Sequence, residues 1–440
     1  MSPRLLPILP LAFASSSLLA QVDLSTRPPA TPSPALPPAT EPAVAASTST
    51  PVTFTDALTR GTVSASSRVR YETVTQDGLA DADALTARLR LGYTTADYKG
   101  FQAMIEGEAV LPVAGDSFDG TGANTENRAA IADPETYQVN QAWGSYTYEK
   151  TKVTLGRQTI VLDTARFVGD VGFRQNQQTY DAAVVKNTSV ENLTVTYGYL
   201  SRINRVFDDS SGPGGTQYDW SSQSHLINAA YHGIPCGTLT GYGYLLDFDR
   251  AADFASTNSS QTYGLSFDGS IQACDDATIL YRVEYATQSD YGSSPLSYRA
   301  DYYLGELGVK FLKNYTVAFG HEVLGSDDGA TGFKTPLATL HAYQGWADRF
   351  LNTPAAGIED TYVKVAATLP ANFSFLGFYH WFDAQDTSAT YGTELDLQLG
   401  YKLNANFSFT AKAAFYEGDG DIATHAQDTT KFWLQGDYTY

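Results

Sequence analysis

The side chains best placed to do chemistry are arginines and glutamates spaced two apart. Arg68, Arg70 and Glu72 form one such set, Arg88 and Arg90 a second, and Glu106 and Glu108 a third with Gln102 in phase. A period of two puts each set on one face of a β-strand. Three neighbouring antiparallel strands would set carboxylates across from guanidiniums, so that pairs hold one another in place. Any guanidinium left over offers planar, forked donors to a carboxylate on a passing molecule. Arg282 and Glu284 repeat the pattern, and Arg157, Arg166, Arg174, Arg202 and Arg205 lie beside later strands. Arginine makes up 17 of the 28 basic residues, which favours forked recognition over point charges. Two readings stand. In one the ladder satisfies only itself, and in the other its unpaired excess forms a cationic track.

What must position these residues is a long series of strands. The last ten residues alternate strictly: Phe432, Leu434, Gly436, Tyr438 and Tyr440 on one face, Lys431, Gln435, Asp437 and Thr439 on the other. Only Trp433 breaks the pattern. Similar alternation recurs from residue 62 onward in about eighteen segments of about 10–14 residues, the length that crosses a bilayer at the usual strand tilt. Leu85, Leu89 and Leu91 oppose Arg88 and Arg90, while Tyr281 and Val283 oppose Arg282 and Glu284. A lysine or arginine facing lipid at mid-depth costs about 2–4 kcal/mol, so the charged face has to be the inside of a tube. Connections alternate between tight Asn, Asp, Gly or Pro turns and long irregular segments. The expected fold is an all-β, single transmembrane antiparallel barrel with short periplasmic turns and long extracellular loops.

The flanks bound the rest. Residues 1–20 read as a secretory signal, with Arg4 ahead of an apolar stretch and small residues near Ala20. Residues 21–55 are rich in Pro, Ala, Ser and Thr and read as a disordered periplasmic tether, leaving 56–440 for the barrel. No apolar run long enough for a spanning helix follows the signal. The formal charge is −20, with acidic residues such as Asp116, Asp119, Asp208, Asp209, Asp327, Asp328, Asp419 and Asp421 gathered in the irregular segments. That argues against nucleic acid as a partner.

Residues 325–357 are too many for an idle connection. Phe333, Leu337, Leu340, Trp346 and Phe350 make the segment too apolar to stand in water. It is a candidate gating loop folded inward or across the mouth, with packing on the outer rim as the alternative. Cys236 and Cys274 both fall in short turns and form a candidate disulfide, since the periplasm is oxidising; a free thiol pair is the alternative. His380 with Asp383 and His321 with Glu322 are the only histidines with an acid close in sequence. Neither has a nucleophile at a telling spacing, and no metal-ligand spacing appears. No catalytic residue, metal or cofactor is expected.

Several strings resemble the alginate-export family of outer-membrane barrels. They are Leu155-Gly156-Arg157-Gln158; Phe167 to Asn176 running into Gln178 to Ala182; Gly332 to Phe350; Gly357 to Tyr362; and Lys431 to Gln435. The resemblance implies an eighteen-stranded monomeric porin with an arginine-rich lumen, and Arg157 and Arg174 are its matching motif residues. It implies export of an acidic polysaccharide such as alginate, with periplasmic export partners. An uptake porin for small acidic nutrients or oligosaccharides is the alternative, and a non-conducting anchoring barrel a third. In each case outer-membrane lipid surrounds the chain.

Overall fold

The computed structural model describes residues 53–118, 120, 127–207, 219–249 and 255–440. The signal and most of the tether lie outside these residues, as do Asp119, Asp208 and Asp209. Thr53 caps a short helix, α1 (Phe54–Thr59), by accepting from the Asp56 amide. Tyr93 then ties α1 to the wall by donating its hydroxyl to the Leu58 carbonyl at 2.7 Å.

Eighteen strands follow among the described residues: β1 (Thr62–Gln76), β2 (Ala82–Thr94), β3 (Phe101–Ser117), β4 (Thr136–Tyr148), β5 (Thr151–Gln158), β6 (Thr179–Asn187), β7 (Leu193–Asn204), β8 (Asp219–Ile234), β9 (Gly237–Leu246), β10 (Ser260–Cys274), β11 (Ala277–Asp290), β12 (Arg299–Phe311), β13 (Tyr315–Leu324), β14 (Ile358–Thr368), β15 (Phe373–Asp383), β16 (Thr390–Lys402), β17 (Phe407–Gly418) and β18 (Thr429–Thr439). Each pairs antiparallel with its sequence neighbours. The sheet closes where β1 meets β18, from Ser66 opposite Thr439 to Gln76 opposite Thr429. Closure leaves no edge strand with unpaired backbone groups, which is the condition for a sheet to stand in lipid.

The burial pattern is inverted relative to a water-soluble protein. Leu89 and Leu91 are 57% and 60% exposed, while Arg88 and Arg90, which alternate with them, are only 6% and 9% exposed. Phe101, Ile105, Leu155, Leu265, Leu307 and Leu434 continue the apolar outer surface. Glu106, Glu108, Glu322, Glu394, Asp396 and Lys412 sit on the inner face and are buried there. An apolar exterior around a charged interior is stable only when the exterior meets hydrocarbon. The protein is an outer-membrane β-barrel. Both barrel termini lie on the side of the short turns, which is the periplasmic side of such barrels.

The cysteine expectation fails for a geometric reason. Both thiols are free. Cys236 ends the turn before β9, and its carbonyl accepts from Ser270 of β10 at 3.2 Å. Cys274 lies four residues further along β10, about 13 Å away at the usual rise per residue.

Candidate pore constriction

The wall of the lumen is laid out by strict alternation. Arg68 stands directly opposite Arg88, Ser66 opposite Arg90, and Arg90 in turn opposite Glu108. Arg90 and Glu108 form an ion pair, and Gln138 donates to the same carboxylate at 2.9 Å. Glu106 is held instead by the side-chain amides of Asn140 at 2.7 Å and Gln141 at 3.2 Å. Arg68 bonds Asp437 of β18 at 2.8 Å. Arg88 stands apart. Among the described residues it has no hydrogen bond or ion pair, and its buried Nε is unsatisfied.

Two segments from the extracellular side fold into this interior. The first is 159–178. At its start Gly156 has a φ of +117°, and a Cβ there would collide with the Ala142 carbonyl. Gln158 then turns its side-chain amide onto the carbonyls of Gly156 and Ala182 at 3.2 and 3.3 Å, and β5 stops. The segment crosses to β1, where Arg68 donates to the Gly172 and Phe173 carbonyls at 3.0 Å. Arg70 donates to the Phe173 carbonyl too, and its guanidinium lies 4.2 Å from the Phe173 ring centroid. The second segment is 325–357. Gly169 donates to the Leu337 carbonyl at 2.8 Å, and Thr339 to the Ala165 carbonyl at 3.0 Å, so the two segments pair with each other.

Buried ion pairs fasten both to the wall. Arg174 of the first segment bridges Glu72 of β1 and Asp348 of the second, each at 3.0 Å. Arg166 pairs with Glu322 of β13 at 2.6 Å and donates to Gln344 at 3.1 Å. Asp348 also accepts from Lys431 at 2.9 Å and contacts His341 Nδ1 at 2.7 Å. Lys412 can only donate, so at 2.6 Å from His341 Nε2 it finds an acceptor there. The imidazole proton is then on Nδ1, facing Asp348, and the ring is neutral. Burial pushes His341 well below its ordinary pKa, in keeping with that state. Burial alone would raise Asp348, but His341, Lys431 and Arg174 hold it well below the usual carboxylate range. The His341 ring stacks on Phe173 at 3.6 Å between centroids, with Trp433 edge-on beneath.

The apolar members of the second segment pack inside the barrel. Phe333 meets Tyr302 and Phe167, Trp346 meets Phe378, and Phe350 meets Phe382, Tyr391 and Tyr416. Leu337 is buried with them, and Leu340 is half-buried in a single helical turn. Asp163 of the first segment accepts from Asn228 at 2.7 Å. Burial, and then the nearby Glu284 carboxylate, push its pKa up to about 6.

Not every arginine singled out from sequence lies in this interior. Arg282 does, paired with Glu284 at 2.7 Å, and Tyr242 donates to the same carboxylate. Arg205 stacks on Trp220 at 4.2 Å, where burial lowers its pKa to about 10. Arg157 and Arg202 are different. Arg157 is in phase with the exposed Leu155 and bonds Asp181 at 2.7 Å. A bulge in β7 between Leu200 and Arg202 turns Arg202 outward beside them, where it pairs with Asp219 at 3.2 Å. These two belong to the outer rim and do not line the pore.

Strand alternation also separates the histidine pairs. His321 faces outward onto Thr361, while Glu322 faces inward. His380 bonds Asp360 on the adjacent strand at 2.8 Å rather than Asp383. Sequence reasoning passed over Asp133, Asp348 and Lys412, and gave Glu322 and Trp433 no part in the lumen. For Trp433 the signal was present, as the one ring out of phase in the last strand.

No family model matches this chain, and no curated protein matches it. Solved structures do. Over 86% of this chain and 98% of each of the others, it is similar to OccAB2 of Acinetobacter baumannii at 15% identity and a TM-score of 0.67. Over the same shares it is similar to OccK9 (OpdG) of Pseudomonas aeruginosa at 14% identity and 0.68, and to OpdK of the same organism, solved with vanillate, at 12% and 0.65. At these identities the likeness is one of fold. It overturns the alginate-export resemblance: the strings that suggested it correspond to no matching family model, and the similar structures are Occ and Opd barrels. Two of those strings, Phe167 to Asn176 and Gly332 to Phe350, lie in the inward segments, and the others fall mostly in β5, β6, β14 and β18 of the wall.

Proposed function

We propose that this barrel is an outer-membrane channel for the uptake of small acidic solutes, acting as a single chain. The observation that carries the reading is the guanidinium row of β1 and β2 where the inward segments meet the wall. Arg68 is only partly buried, and Arg88 makes no ion pair among the described residues, the nearby carboxylates of Glu108 and Asp437 being bonded to Arg90 and Arg68. A buried, uncompensated guanidinium is costly, and an anion entering beside it offsets that cost. The carboxylates of Glu106 and Glu108 close by keep such binding weak enough for release, as conduction requires. Size supports a small solute over a polymer. The packed rings of Phe167, Phe333, Tyr302 and Trp346 occupy much of the interior, leaving no reason to expect passage of a folded or hydrated chain. The role is selection of the solute.

The test is a planar-bilayer recording of the purified protein under a salt gradient. The expected reversal potential is that of an anion-preferring pore, with transient block by benzoate or a similar small carboxylate. A barrel that stays silent, or one that prefers cations, overturns the reading.

A further inference from the structure

The periplasmic end of the wall carries a group of side chains that the constriction does not use. Thr147 of β4, Lys152 of β5, Lys186 of β6 and Thr196 of β7 form one row, each the direct register partner of the next. The adjoining row, which includes the exposed Tyr146 and Tyr197 with Val153 and Val185 between them, faces lipid. The lysine row therefore faces the lumen. Like charges directly opposite one another destabilise an antiparallel pair. Lys152 and Lys186 are so placed, and among the described residues neither ammonium has an ion-pair or hydrogen-bond partner. Lys186 is exposed and Lys152 half-buried, so both are open to a ligand. The Lys152 ammonium lies 5.5 Å from the centre of the Trp143 ring, which is also only partly buried.

We propose that this row is a binding site for a phosphate monoester dianion, with Trp143 receiving the ring that carries it. Two opposed point charges are matched by a ligand of charge near −2, which a phosphate monoester bears above its second pKa of about 6. Lysines act on phosphate as point charges, while flat carboxylates are the better match for forked guanidiniums, and no guanidinium stands in this row. The hydroxyls of Thr147 and Thr196 flank the lysines and supply donors to the remaining oxygens. A sugar ring over the indole adds apolar contact on the side away from the phosphate. The site goes beyond the transport reading, because occupancy needs no conduction.

The experiment is 31P line broadening of inorganic phosphate and of glucose 6-phosphate by the full folded protein in detergent micelles. Saturable broadening of both is expected, with the sugar phosphate bound more tightly. The double variant Lys152→Gln/Lys186→Gln should weaken both by about tenfold or more, as loss of two charged donors implies. Trp143→Ala should bring glucose 6-phosphate down to the level of inorganic phosphate and leave the latter unchanged. Lys186→Arg, which keeps the charge, should retain binding, and heat-modified gel migration reports folding of every variant. Unsaturable broadening by the wild type, or equal broadening by the folded double variant, overturns the site. A silent bilayer recording with intact broadening overturns only the transport reading.

Discussion

At the scale of single residues, the buried guanidinium of Arg88 is the group whose loss should change selection without loosening the wall. Its neighbours are already paired: Arg90 with Glu108, Arg68 with Asp437. Arg88→Gln should shift the reversal potential in a salt gradient toward zero and raise the benzoate concentration needed for half-block by about tenfold, the order of one lost charge-assisted contact. Barrel stability should hold or rise slightly, since a buried charge without a partner is removed. An unchanged reversal potential would assign selection elsewhere. Asp163 gives a second, pH-linked outcome. Its folded pKa is raised to about 6, above the ordinary 3.8, so the folded state favours the protonated form. The stabilisation from that proton is complete below pH 3.8 and is lost as pH rises through about 6. Asp163→Asn should therefore stabilise the protein at neutral pH by about 1–3 kcal/mol and flatten the dependence of stability on pH between those limits. Denaturant titrations at several pH values read both effects, and a variant less stable at neutral pH would contradict them.

At the scale of elements, the two inward segments act as one body because Arg174 and Asp348 tie each to the other and to β1 and β18. Asp348→Asn removes the charge on which Arg174, Lys431 and His341 converge. Breaking a buried pair from one side costs about 3–5 kcal/mol, enough to release the segment 325–357 locally while the strands stay paired. Open-channel noise should grow and the mean conductance rise, and deleting Leu340 to Leu351 should raise it further. Conductance unchanged from the wild type in both variants would show that this segment does not narrow the pore. The same elements show what a sequence can and cannot disclose. Alternation made the wall legible, because period two reports directly which side chains share a face. Where β5 stops was not legible, since Gly156 and Gln158 end it through contacts with other strands. The inward folding could be suspected from Phe333, Trp346 and Phe350, yet the partners could not be named. Lys412 and Glu322 lie on separate strands, and only the inward segment, through His341 and Gln344, joins them. Arg202 was misplaced because a bulge in β7 changes the phase beside it. Arg157 was misplaced although alternation with the exposed Leu155 already puts it on the outer face.

At the scale of the whole molecule, the chain folds with most buried charges inside and its large apolar side chains outside. Stability then rests on keeping charges off the part of the outer face that meets hydrocarbon. β2 offers a clean comparison, because Leu89 sits near its middle and is 57% exposed on the outer face. Thr410 of β17 faces the lumen, opposite Gly400 and Gln435, and is only half-buried. Leu89→Lys should cost about 2–4 kcal/mol in a reversible folding titration into lipid vesicles, the depth-dependent penalty for an ammonium in hydrocarbon. Thr410→Lys places the same charge in a polar, wetted interior and should cost well under half as much. In detergent micelles, where headgroups and water reach the wall more easily, the gap between the two should narrow. If the two lysines cost the same in vesicles, the outer surface does not face hydrocarbon, and the spatial assignment of lumen and lipid would have to be reversed. A larger penalty at Thr410 than at Leu89 would instead mean that the inward segments seal the interior against water along that part of the wall, which no solute channel can tolerate.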